Sequence, residues 1–173
     1  MNSMNDCPYN EGTYHYNIYR LVKKHNVKKC LEIGTDVGNS TEAIIRAMSS
    51  NGGGHLVSID CSACISARDR VRQYENQLTR CSFITSYSLD AFEGLANNKY
   101  DLVYIDGNHD VEAVRSDWLT FGKLSPVVLF DVLQLHGPRT VFEEIKQMGD
   151  FETEEYLLRE AAGQIAGEVR KRS

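Results

Sequence analysis

The sequence predicts an α/β fold, an open, doubly wound and mostly parallel sheet with helices on both faces. Three observations carry this. Strand-like and helix-like segments alternate along the chain. Two of the strand segments, LVYI and VVLF, are continuous apolar runs, as a sheet covered on both sides requires. Acids stand at the strand ends, Glu32, Asp60, Asp106 and Asp131, where a parallel sheet gathers the carboxyl ends of its strands.

The elements follow in order. Residues 11–25 (EGTYHYNIYRLVKKH) predict a helix ahead of the first strand, 27–33 (VKKCLEI). A helix over 40–50, a strand over 55–60 and a helix over 67–80 come next. The alternation continues with a strand at 81–86, a helix at 89–98, a strand at 100–106, a helix at 111–124, a strand at 126–131 and a helix at 140–148. Helical crossovers between successive strands imply parallel pairing. The tail reads as two final strands, 151–158 and 163–172. No linker divides the chain, so residues 1–173 form one domain, with 1–27 an N-terminal helical segment and 28–173 the core.

Composition narrows the function classes. With 42% apolar residues and a quarter charged, the chain can bury one core. A net charge of −5 supplies no basic field for nucleic acid. No apolar run approaches the roughly 20 residues of a membrane span, and the polar start MNSMNDCPYNEG has no secretion-signal core, so a cytoplasmic protein is expected. Five cysteines, an odd number scattered through core-forming segments, suit reduced thiols. The pair in Cys61-Ser-Ala-Cys64 follows Asp60, whose charge opposes a thiolate.

Chemistry concentrates in CLEIGTDVGNST, residues 30–41. Gly34 and Gly38 let backbone approach a ligand and turn sharply, and Ser40 or Thr41 can cap the following helix so that its positive end faces the site. The spacing is neither G-x-G-x-x-G nor a P-loop, so pyrophosphate is not the favoured ligand and a nicotinamide-dependent oxidoreductase is disfavoured. Asp60, at the second strand tip beside this loop, can accept two ribose hydroxyls. Glu32 can face a cationic group such as an amino-acid ammonium. Further on, YDLVYIDGNHD puts Asp106 at a strand tip and His109 three residues later, an acid beside a candidate proton acceptor. Asp106 and Asp131 together could also offer hard oxygen ligands to Mg²⁺. His136 and Arg139, in the segment after the fifth strand, are further candidates to border a substrate.

EIGTDVG followed by SID resembles the first two motifs of class I S-adenosylmethionine-dependent methyltransferases, over about residues 12–170. The resemblance implies a Rossmann-like seven-stranded sheet whose last strand is antiparallel. It carries Gly34 and Gly38 to the methionine part of the cofactor, Asp60 to its ribose, and the neighbourhood of Tyr87 and Ser88 to its adenine, with Glu32, Thr35, Ser40 and Asp106 also expected to bind the cofactor. DGNH followed by VEAVRSDW resembles the metal-dependent O-methyltransferase branch that includes sugar-modifying macrolide methyltransferases and cephalosporin-hydroxylase-like proteins. That implies His109 as general base, Asp106 and Asp131 as Mg²⁺ ligands, and a small-molecule acceptor such as a sugar or secondary metabolite; a homodimer would be one way for so short a chain to close its site. The chain departs from the branch in having Phe130 before Asp131 and no Gly-Gly turn before the fifth strand. A nucleoside-binding module that has lost catalysis is the alternative these departures leave.

Overall fold

The computed structural model describes residues 7–172; the first six residues and Ser173 of the expected domain lie outside the described residues. Seven strands form one sheet: β1 (Lys29–Ile33), β2 (Gly54–Asp60), β3 (Thr79–Thr85), β4 (Leu102–Ile105), β5 (Val127–Phe130), β6 (Phe151–Arg159) and β7 (Gln164–Lys171). Their order is β3-β2-β1-β4-β5-β7-β6. The first five are parallel, and β7 enters antiparallel between β5 and β6. The expected seven-stranded sheet with an antiparallel last strand is therefore what forms.

Among the described residues six α-helices cover it: α1 (Tyr14–Lys24), α2 (Asn39–Ser50), α3 (Ile65–Arg72), α4 (Ser88–Leu95), α5 (Val111–Phe121) and α6 (His136–Met148). Because strand side chains alternate, each central strand feeds two cores. Cys30, Leu56, Leu102, Tyr104 and Leu129 pack with α1, α2 and Val71 of α3. Leu31, Val57, Val103, Val128 and Phe130 pack with Leu95 of α4 and with α5 and α6. Tyr104, Phe130 and Leu129 are fully buried, so VVLF and LVYI read as apolar runs because neither face meets water.

Two helix boundaries differ from the expectation more than the others. The helix expected over 67–80 stops at Arg72, because Asn76 Oδ1 accepts from the backbone N–H groups of Leu78 and Thr79 and folds that stretch into a turn. Conversely, α6 starts at His136 instead of 140. Pro138 lies in its first turn, where a missing N–H costs nothing. Gly137 leaves no room for a side chain, since a Cβ there would lie 1.9 Å from the His109 carbonyl oxygen.

Among the described residues no helix is long and apolar enough to cross a membrane. Strand order reverses between β1 and β4, and the carboxyl ends of these two strands open the crevice in which such sheets bind ligands.

Candidate active site

The loop after β1 is built around two glycines in the left-handed region. Gly34, at φ +94°, lies so close to β4 that a Cβ would sit 2.0 Å from the Asp106 carbonyl oxygen. Its N–H donates to Ile59 O of β2 at 2.9 Å. Gly38, at φ +82°, is the N-cap of α2 and abuts Ala67 of α3, whose Cβ would be 2.7 Å from an added Cβ. Gly38 thus serves helix packing, while Gly34 sets the spacing between the two strands that frame the crevice.

No side chain caps α2. The hydroxyls expected to do so turn to Glu32, which is fully buried. Thr41 Oγ1 donates to Glu32 Oε2 at 2.7 Å and Ser58 Oγ at 2.6 Å, with Ser40 also favouring the carboxylate form. Glu32 is therefore turned into the molecule, tying β1 to β2 and α2. Burial outweighs these donors and pushes its pKa up to about 7. The unfolded chain releases this proton near 4.5 and the folded chain near 7, so stability present below pH 4.5 is lost as pH rises through 7. The loss is worth about 3 kcal/mol at most. Glu32→Gln should flatten that decline, losing about 2–3 kcal/mol less than the parent between pH 5 and pH 8 in urea unfolding. Parallel pH profiles for the two proteins would show that Glu32 is not the titrating group.

Asp60 stands at the tip of β2, as expected. Its Oδ2 accepts from Thr35 N at 2.9 Å and Asp36 N at 3.0 Å, and its Oδ1 from Ser62 N at 2.8 Å and Ser62 Oγ at 2.9 Å. These donors hold its pKa at about 2 against partial burial. The four bonds fill a carboxylate's acceptor sites, so a ribose diol must displace the Ser62 hydroxyl to bind here.

The crevice has two lobes that meet at Asp106. The first, about 800 Å³, runs from Gly34 and Asp60 past Tyr87, Ser88 and Leu89 to His109 and Asp117. The second, about 460 Å³, is bounded by Tyr14, Thr35, Ser40, Asp131, Arg159 and Gln164. Thr35, Ser40, Tyr87 and Ser88 are thus brought to the crevice, whereas Glu32 and Gly38 support it from behind. Asp106 is mostly shielded and His109 half-exposed, with His109 Nε2 3.3 Å from Asp106 Oδ1. Burial pushes the Asp106 carboxyl up to about 7, the nearby Asp131 adding to the rise, while the hydrogen bond to Asp106 raises His109. The two groups interact strongly enough to share a proton.

Asp131 is buried and already engaged. Its Oδ2 accepts from Tyr104 OH at 2.8 Å, Tyr14 OH at 2.9 Å and Gln164 Nε2 at 3.2 Å; its Oδ1 accepts from Val132 N at 2.6 Å and Gln164 Nε2 at 3.1 Å. The residues present do not fit the expected Mg²⁺ site. The donor set is two carboxylates, one saturated by phenols and an amide and the other held by His109, and Phe130 occupies the position where the branch supplies a further ligand. Among the described residues no group of three His, Cys, Asp or Glu side chains could hold a metal ion. The next residue, Val132, has φ +49°, a costly conformation for a β-branched side chain, which marks this turn as strained.

His136 borders the His109 turn from the start of α6, whereas Arg139 instead donates to Leu133 O and pairs with Glu155. Sequence reasoning missed three residues. Asp117, buried on α5 and accepting from Ser88 Oγ at 2.6 Å, was detectable only as a polar residue between Val114 and Trp118 on a buried face. Arg159 and Gln164 reach the site from β6 and β7, and nothing local in the sequence marks them.

Residues 31–132 match a family profile described as a methyltransferase domain. No curated protein matches the sequence. Among solved structures, the chain is similar to an O-methyltransferase from Bacillus cereus in complex with S-adenosylhomocysteine, at 21% identity and a TM-score of 0.75, covering 98% of this chain and 87% of that one. It is also similar to TomG, an O-methyltransferase of tomaymycin synthesis from Streptomyces achromogenes in complex with S-adenosylmethionine, at 21% identity, a TM-score of 0.73, and coverage of 97% and 83%. A methyltransferase from Podospora anserina bound to S-adenosylhomocysteine matches at 15% identity and a TM-score of 0.71, covering 92% and 78%. With more than half of its length matched by the profile, and with Gly34, Asp60 and Asp106 gathered at the point where strand order reverses, the chain belongs to the methyltransferase-domain family and has the fold of class I S-adenosylmethionine-dependent methyltransferases.

Proposed function

We propose that the protein is an S-adenosylmethionine-dependent O-methyltransferase acting on a hydroxyl group of a small molecule, a sugar or a secondary metabolite. The observation that carries this reading is the two-lobed crevice meeting at Asp106, with Asp60 along the first lobe and His109 on that lobe beside Asp106. Gly34 supplies the open backbone, Asp60 the ribose acceptor, and Tyr87 and Ser88 the wall for adenine. Thr35 and Ser40 at the mouth of α2 would hold the amino-acid end of the cofactor. Bound there, S-adenosylmethionine supplies an electrophilic methyl group.

The chain's own residues then position and deprotonate. His109 Nε2, in its neutral form, takes the proton of the acceptor hydroxyl, and Asp106 stabilises the imidazolium that results. The paired Tyr14 and Tyr104 hydroxyls on Asp131 fix the far wall of the second lobe, so most of the rate enhancement comes from orientation. No step is assigned to Mg²⁺, because it would have to displace Tyr14 or Gln164 from Asp131.

Calorimetric titration with S-adenosylhomocysteine tests the reading. Micromolar binding is expected, weakened about 10- to 100-fold in Asp60→Ala, since a charge-assisted hydrogen bond to the ribose is lost. Titrations in Mg²⁺ and in EDTA should coincide. Absence of binding by the parent protein would overturn the assignment, and binding without turnover on any hydroxyl acceptor would favour the inactive nucleoside-binding module.

A further inference from the structure

A second cavity, of about 520 Å³, lies at the opposite end of the sheet, under the C-terminus of α5 and the amino ends of β4 and β5. Its volume is within the range of small-molecule sites. The walls are apolar and largely aromatic: Trp118, Leu119, Val128 and Phe151. Trp118 meets Phe151 edge to face at 5.2 Å between ring centroids. Gly122, also on the wall, packs against the same ring, where an added Cβ would sit 2.7 Å away.

The rim carries Lys99, Lys123 and Lys171, and no acidic side chain lines the cavity. In a protein with 24 acidic and 19 basic residues, this clustering of one sign is against the overall charge. None of the three lysines is ion-paired among the described residues; Lys123 rests on the Phe92 ring, 4.9 Å from its centroid. One further feature marks the wall as open to a ligand: Leu119, which lies on it, is 63% exposed.

We infer that this cavity is a binding site for an amphipathic monocarboxylate, its apolar body against Trp118 and Phe151 and its carboxylate at the lysine rim. A neutral apolar molecule would leave the three cations unmatched, and an amphipathic cation would be repelled. The site is separate from the cofactor crevice and does not depend on the proposed reaction.

Trp118 is the only tryptophan in the chain, so its fluorescence reports directly on the cavity. The experiment titrates decanoate into the full chain saturated with S-adenosylhomocysteine, with decanol and decyltrimethylammonium as the neutral and cationic counterparts. Saturable change with decanoate is expected, at least tenfold tighter than with either counterpart. Each rim lysine should contribute a factor of about two to five, so the Lys99→Gln, Lys123→Gln, Lys171→Gln triple variant should weaken decanoate by about tenfold or more. Leu119→Glu, at an exposed position that leaves the fold intact, should weaken it at least tenfold with an unchanged thermal midpoint. Equal affinity for decanoate and decanol, or no saturable signal, would overturn the inference. A dimer in gel filtration that Leu119→Glu dissociates would also overturn it, by making a second copy of the chain the occupant.

Discussion

His109→Ala is expected to lower turnover on a hydroxyl acceptor by about 10² to 10⁴ while leaving S-adenosylhomocysteine affinity within about threefold. The split follows from geometry: His109 lines the first lobe beside Asp106, where the two lobes meet, whereas Asp60 and the glycine loop, the proposed cofactor holders, line that lobe farther along. The same pair predicts the pH profile. A general base works only as neutral imidazole, and the hydrogen bond to Asp106 raises the His109 pKa above its ordinary 6.5. Turnover should therefore fall as pH drops, with an apparent pKa above 6.5, and this limb should disappear in His109→Ala. Asp106→Asn should shift the limb toward lower pH, because it removes the group that favours the imidazolium. An alanine variant with parental turnover would remove His109 from the mechanism. Equal losses in turnover and in S-adenosylhomocysteine affinity would make it a structural residue instead.

Much of this site was legible because its parts are local. A strand ending in an acid, followed by two glycines four residues apart, is a contiguous pattern, and so is the Asp106 to His109 turn. The two cores follow from strand alternation that a reader can count. What escaped depends on contacts between distant parts of the chain. Asp131 was visible as a strand-tip acid, but its partners Tyr14, Tyr104 and Gln164 come from α1, β4 and β7, so its hydrogen-bond saturation could not be read from VVLFD. Glu32 was read as facing a ligand because it stands near a strand end. Register places it among Ser58, Thr41 and Ser40 instead, since a side chain one position before the tip points into a helix-covered face. The early start of α6 was masked by Gly137 and Pro138, which locally read as helix breakers. Gly137 is required by the His109 carbonyl packed against it, a constraint from a turn nearly 30 residues earlier.

Gly34→Ala should be the most disruptive single-methyl change in the molecule. The added Cβ would lie 2.0 Å from the Asp106 carbonyl oxygen, 2.5 Å from its carbon and 2.9 Å from Gly107 N, all backbone atoms that cannot swing aside. Relief requires β1 and β4 to part, yet they are paired from Cys30–Leu102 to Ile33–Ile105, and Asp106 N donates to Ile33 O at 2.8 Å. Overpacking of this kind costs about 1–3 kcal/mol, and the left-handed backbone at φ +94° adds about 1–2 kcal/mol for any residue with a Cβ. A combined loss of roughly 2–5 kcal/mol is a large part of a typical domain's stability. Gly149→Ala is the matched control: it also has positive φ, at +76°, but nothing lies within 4 Å of its added Cβ, so it should lose only about 1 kcal/mol. Urea midpoints for the two variants separate the strand-spacing effect from the backbone effect. Where Gly34→Ala still folds, displacement of Asp106 should weaken S-adenosylhomocysteine binding, whereas Gly149→Ala, at the C-terminus of α6, should bind as the parent does. Equal midpoints would mean that β1 and β4 do not approach as closely as the crevice requires, and the assignment of Gly34 as its spacer would fail.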